Sequence, residues 1–190
     1  MIRKNGELAR FLRIPTIRHM GIVVEDIERA VKYYSDTFQM GPWFKSKMPA
    51  GENYLRGERK INTEYETAST FSGKMEYQLI EVKGGDRDIC LEHLEKHGEG
   101  FHHVGGYVNN IEARLSAYRE VGIGVLQTGI VKSKGKLGGI ATKYAYLDTA
   151  AISGVVFELI QIDVVGINIG SSRFWFELGN LVGGIEKMKL

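Results

Sequence analysis

A chain of 190 residues is long enough for one ordinary domain, or for two small modules that share a core. Its 43% hydrophobic and 25% charged residues are those of a globular protein, and a net charge of +2 excludes a nucleic-acid surface built on bulk electrostatics. Cys90 is the only cysteine, which excludes an internal disulfide and fits a reducing compartment. The N-terminus has no secretory apolar run, and no stretch reaches the roughly 18–20 apolar residues that cross a bilayer. The expected setting is the cytoplasm, with no membrane partner.

In chain order, a basic arm from Arg3 to Arg13 reads as a surface segment. A β-type run then starts at His19 and ends at Val24, followed by Glu25-Asp26, a pair suited to capping a helix. Ile27, Ala30, Val31 and Tyr34 follow at helical spacing, and Gly41 closes the segment. Ile61–Phe71 and Met75–Val82 read as strands joined by a Ser72-Gly73 hairpin signal, with Asn53–Lys60 an insertion before them. The linker 84–100 holds a helix from Asp86 to His97, closed by Gly98.

From His103 the pattern repeats. His19, Gly21, Val24, Ile27, Glu28 and Tyr34 match His103, Gly105, Val108, Ile111, Glu112 and Tyr118. Asn110 takes the cap position of Asp26, and strands follow at Gly124–Val131, Ala141–Leu147 and Val155–Ile162. Neither copy can cover both faces of its own sheet. The expected fold is therefore α+β: modules at 16–83 and 101–162 forming one curved mixed sheet, with helices outside and a cleft inside. The tail 163–190 has no counterpart; Phe174, Trp175, Phe176 and Leu178 make it apolar enough to pack on the body or on a second subunit, and a homodimer is expected.

The repeat gives joint meaning to residues that are ordinary one at a time. His19 and His103 occupy equivalent positions on first strands. Gln78 and Glu158 lie on the closing strands, at similar distances along the chain from their histidines. A carboxylate between Phe157 and Leu159 must be paired, ligated or facing a wet cleft, because burying it bare is very costly. Four such positions, related by pseudo-symmetry, can converge on one point. By strand alternation, His102 and Glu81 turn to the other face, and Glu76 shares the face of Gln78 one pleat off. His93 and His97, four apart, read as one face of the linker helix.

The first strands, Arg18-His19-Met20-Gly21-Ile22-Val23-Val24 and Phe101-His102-His103-Val104-Gly105, resemble those of the glyoxalase / vicinal oxygen chelate superfamily. So do the closing strands Tyr77-Gln78-Leu79-Ile80-Glu81 and Val156-Phe157-Glu158-Leu159-Ile160. The resemblance covers residues 16–162 and is nearest to methylmalonyl-CoA epimerase-like proteins. It implies paired βαβββ modules and one divalent ion (Co, Mn, Ni, Zn or Fe) held by His19, Gln78, His103 and Glu158. Two remaining adjacent positions on the ion would accept a substrate with two oxygens, and proton removal would give a stabilised enolate.

Gln78, where lactoylglutathione lyases carry glutamate, points to an epimerase of a 2-carboxyacyl-CoA thioester. Lactoylglutathione lyase and a non-enzymatic resistance protein of the same fold are the alternatives. An extradiol dioxygenase fits less well, since Gln78 adds a fourth protein ligand. Epimerisation needs two bases: the resemblance makes Glu158 one, and Glu64 or Glu66, on the strand before Gln78, is the expected other. The Lys132–Gly139 run offers lysines and backbone N–H groups to the phosphates of an acyl-CoA, or is simply a surface loop.

Overall fold

The computed structural model describes residues 6–49, 51–57, 59–135, 138–169, 172–182 and 185–189. After α1 (Gly6–Leu12), the first repeat supplies β1 (His19–Val23), α2 (Ile27–Phe38), β2 (Phe44–Met48), a hairpin β3 (Glu52–Leu55) and β4 (Arg59–Ile61), then β5 (Thr63–Ser72) and β6 (Met75–Gly85). Helix α3 (Ile89–His97) links it to β7 (Gly100–Tyr107), α4 (Ile111–Glu120), β8 (Val125–Gly135), β9 (Gly138–Leu147), α5 (Ala150–Ser153) and β10 (Val156–Val164). The tail forms β11 (Ile167–Ile169), α6 (Arg173–Val182) and β12 (Glu186–Lys187). Lys132 lies on β8, while Lys136 and Leu137 fall outside the described residues. No helix among the described residues is long and apolar enough to cross a membrane.

One curled sheet runs β12-β2-β5-β6-β1-β7-β10-β9-β8-β3-β4. Each half has the same internal order, with its first strand parallel to its closing strand: β1 on β6, and β7 on β10. The halves meet where β1 lies antiparallel to β7. The sequence repeat thus becomes a pseudo-twofold relation.

The same local chemistry builds each half. Asp26 Oδ1 accepts from the backbone N–H of Arg29, and Asn110 Oδ1 from that of Ala113. The closing strands cap the same helices from below: Glu81 accepts from the Ile27 N–H and Gln161 from the Ile111 N–H. Glu81 therefore faces outward, as alternation requires. Helix α2 covers the convex side with Ile27 and Val31 against Ala68 and Leu79, and α4 does so with Ile111, Leu115 and Tyr118 against Ala145, Leu147 and Leu159. The concave side is filled by Val23, Ile80, Tyr65, Tyr144 and Tyr146, joined by Ile89 and Cys90 at the start of α3.

β2 is the third strand after the helix that a βαβββ module requires in the first half, a strand the residue pattern alone did not locate. The insertion forms the β3–β4 hairpin and pairs with β8 of the other half, Glu52 opposite Ile130. Met48, at the end of β2, is only four residues from Glu52, so the chain cannot span more than about 15 Å there. Ile61 on β4 is two residues from Thr63 on β5, a span of at most about 8 Å. The sheet therefore curls until its two outer edges almost meet, with Leu55 and Ile61 closing the concave core.

The tail packs on the body. Phe176 on α6 sits edge-on to Phe44 at 5.8 Å and to Phe71 at 5.2 Å between ring centroids, and β12 pairs with β2. Phe176→Ala should lower stability by about 1–2 kcal/mol, read as a lower midpoint in urea, because it removes half-buried aromatic contacts on the concave side.

Candidate metal centre

Strand pairing decides which side chains meet. His19 lies opposite Glu76 and Gly21 opposite Gln78 across β1 and β6. Gly21 lies opposite His103 and His19 opposite Gly105 across β1 and β7, while Glu158 lies opposite Gly105 across β7 and β10. Paired residues leave a sheet on the same face, so His19, Glu76, Gln78, His103 and Glu158 all project into the concavity.

Three of them converge. His103 Nε2 is 3.1 Å and His19 Nε2 is 3.4 Å from Glu158 Oε2, and a ligand atom from each residue lies within 4.8 Å of the others. The rings stack at 5.3 Å with 17° between their planes. The groups are deeply buried, His103 at 0%, His19 at 2% and Glu158 at 6% exposure. His19 Nε2, His103 Nε2 and Glu158 Oε2 nevertheless have no hydrogen-bond partner. Buried polar atoms are normally satisfied, and here three unsatisfied ones of metal-ligating chemistry point at one another. The donor set therefore fits a divalent ion, two imidazoles and a carboxylate being a common nitrogen and oxygen combination.

Two glycines make room. A Cβ on Gly21 would lie 1.9 Å from Cε1 of His103, and one on Gly105 would lie 3.2 Å from the ring of His19 and 3.1 Å from Glu158 Oε2. Each imidazole lies across the glycine of the opposite strand. The His-x-Gly spacing shared by the two repeats thus has a steric cause.

The electrostatics are set by burial and by close neighbours. Burial acts to lower the His19 pKa, but Glu76 and Glu158 outweigh it and the net shift is upward. For His103 burial wins over Glu158 and the shift is downward. Burial would raise the Glu158 carboxyl, yet His103, His19 and the Tyr146 hydroxyl hold it below the ordinary carboxylate range. Glu76 shares the face of Gln78 one pleat off, as expected, and that position puts it opposite His19. Its Oε2 lies 3.5 Å from His19 Nδ1, and its carboxylate accepts from Ser69 Oγ at 2.8 Å and the Tyr107 hydroxyl at 2.7 Å. Against the cost of burial, those donors and His19 bring its pKa down to about 2. Glu76 thus sits behind the His19 ring, where a carboxylate can orient an imidazole, and with Glu158 it gives the site a second negative charge.

Three expectations need correction. Glu66 faces the convex side, 3.1 Å from Lys45 Nζ, because it pairs with the outward-facing Glu81. Glu64 is exposed, beside a register shift at Tyr65. Neither is brought to the cluster, so Glu66→Gln should leave metal affinity and turnover within about twofold of wild type, any cost falling on stability through the lost Lys45 pair. The hairpin itself carried the signal: pairing Ser72 with Met75 around a two-residue turn places Glu66 against Glu81. The third correction is His102. A register shift in β7 interrupts the alternation, and His102 Nδ1 lies 2.9 Å from His103 Nδ1 instead of on the far face. Burial and the neighbouring His103 and His93 bring its pKa down to about 3.

The structure puts Gln78 on the ligand face, half-buried beside Gly21. His93 and His97 lie on α3 with centroids 5.2 Å apart, outside the cluster.

Solved structures similar to this chain include hypothetical protein BH1468 from Bacillus halodurans C-125, at 20% identity over 76% of this chain and 92% of that one, with a TM-score of 0.49. A methylmalonyl-CoA epimerase from Mycobacterium tuberculosis is 17% identical over 80% and 93% of the two chains, with a TM-score of 0.46. A mutant 4-hydroxymandelate synthase from Streptomyces coelicolor is 15% identical over 84% of this chain and 50% of that one, with a TM-score of 0.54. No curated protein sequence matches the chain. The family described as the glyoxalase/bleomycin resistance protein/dioxygenase superfamily matches residues 18–142, a span that includes His19, Gln78 and His103. With most of its length inside that match and the vicinal oxygen chelate fold around its buried His-His-Glu cluster, the chain belongs to this superfamily.

Proposed function

We propose that the protein is a metal-dependent epimerase of a 2-carboxyacyl-CoA thioester, methylmalonyl-CoA or a close analogue, with His19, Gln78, His103 and Glu158 as the metal ligands. The observation that carries this reading is the convergence of three buried, unpartnered ligand atoms on the concave face. A divalent ion held there supplies Lewis-acid stabilisation for negative charge developing on a substrate oxygen. The chain's own groups do the rest. His19 and His103 are held flat against the sheet by the glycines opposite them, with Glu76 behind His19. We assign Glu158 to take the α-proton, and the aromatic lining of Tyr65, Tyr144 and Tyr146 keeps bulk water away. Gln78 is neutral and adds no charge beyond those of Glu158 and Glu76, which suits a substrate that becomes more anionic.

With Glu64 and Glu66 outside the concavity, Glu76 is the other carboxylate close to His19, and nearby His19 together with the Tyr107 and Ser69 donors keeps it ionised. This favours a second reading, a reaction in which one carboxylate shuttles a proton, as in isomerisation by a lactoylglutathione lyase. Incubating the metal-replete protein with methylmalonyl-CoA in D2O tests both. Metal-dependent appearance of α-deuterium supports the epimerase. Metal binding without exchange, together with turnover of methylglyoxal and glutathione, selects the lyase; tight ligand binding without turnover of either points to a sequestering protein.

A further inference from the structure

The second-half histidine ligand has a partner that the repeat does not predict. In the first half, His19 Nδ1 faces Glu76. The corresponding position in the second half is filled differently, because the residue opposite His103 on the closing strand is Val156, which offers no acceptor. The register shift in β7 supplies the substitute. Gly21 pairs with His103 but Ile22 pairs with Phe101, so His102 is an extra residue whose ring turns back toward its neighbour. The two Nδ1 atoms are 2.9 Å apart, with the rings perpendicular. Contacts with His93 at 5.1 Å and Tyr146 at 5.7 Å hold the His102 ring edge-on.

We infer that His102 is the positioning residue of the metal centre: its Nδ1 accepts the Nδ1–H of His103 and so fixes the tautomer that leaves the His103 Nε2 lone pair for the ion. This rests on the metal-binding reading above. A neutral imidazole carries one N–H, and two Nδ1 atoms at 2.9 Å need one proton between them. If His102 held it, the His103 proton would sit on Nε2, 3.1 Å from Glu158 Oε2, and would close the site by a hydrogen bond to the carboxylate. If His103 holds it, Nε2 is bare and faces the cluster. A hydrogen-bond partner behind a metal-binding imidazole fixes its ring orientation and tautomer, and losing one weakens metal binding by about 10- to 100-fold.

The direct test needs no variant. In metal-loaded protein, and in the metal-free form, nitrogen-15 chemical shifts of the imidazoles should show a protonated Nδ1 on His103 and an unprotonated Nδ1 on His102. A His103 protonated on Nε2 in the metal-free protein overturns the inference. The second test uses Co2+ alone, by equilibrium dialysis and its visible spectrum. His102→Leu should bind about 10- to 100-fold more weakly, while His102→Asn, whose side-chain oxygen can accept the same proton, should fall closer to wild type than the leucine variant does. Equal affinity and an unchanged spectrum in His102→Leu overturn the role of His102 and leave the metal-binding reading intact. A wild-type protein that binds no Co2+ overturns both.

Discussion

Gly21→Ala is expected to remove the metal centre, with Co2+ binding lost in equilibrium dialysis, and to destabilise the protein by about 1–3 kcal/mol or more. The added methyl would lie 1.9 to 2.5 Å from three atoms of the His103 ring. Neither party can yield easily. His103 is fully buried, and the backbone of β1 is paired on both sides by β6 and β7. The ring must therefore rotate away from Glu158, taking Nε2 out of the cluster. A flexible side chain at the contact would make the change mild; an imidazole wedged over a central strand makes it severe. Gly105→Ala should be gentler, since its closest contacts are 3.1 to 3.3 Å and include the far end of the Glu158 side chain. If Gly21→Ala binds Co2+ like wild type, the steric account of the His-x-Gly repeat is wrong.

Glu158→Gln should separate function from folding. Its carboxylate touches both imidazoles, so losing the charge should weaken divalent-metal binding by about 3–5 kcal/mol, or roughly 100- to 1,000-fold or more. Proton exchange at the substrate α-carbon should fall by at least about 10²–10⁴-fold, since base and ligand disappear together. Metal-free stability should change much less. In the absence of an ion Glu158 Oε2 is a buried acceptor without a hydrogen-bond partner, and an amide can donate to one of the facing nitrogens. Thermal melts should thus show wild type gaining more from added metal than the variant does. Equal metal-induced shifts in the two proteins would remove Glu158 from the ligand set.

How much of this was legible in the sequence depends on how local each determinant is. The repeated His-x-Gly spacing, the Asp26 and Asn110 caps and the polar positions on the closing strands are local, so the curved two-module sheet and the facing of His19, Gln78, His103 and Glu158 could be read directly. What escaped depends on pairing between segments far apart. The place of Glu76 opposite His19 follows from the offset of a parallel pair, which no turn residue announces. The extra residue at His102 is a property of the β1–β7 pairing, and alternation counted along one strand gives the wrong side. Glu64 and Glu66 were a different kind of miss, because the tight hairpin at Gly73-Lys74 already determined which face they take. The insertion could be recognised as extra chain, but its partner strand β8 lies in the other half of the molecule.

That insertion also bears on motion. His19 rides on the first half, and His103 and Glu158 on the second, so hinging between the halves would pull the ligand atoms apart. The β3–β4 hairpin acts as a drawstring against such hinging: the chain crosses between the outer edges once after Met48 and again after Ile61, on tethers too short to allow much separation. On these tethers the halves are not free to swing open like a book. The same tethers keep the geometry of the site ready before any ligand arrives.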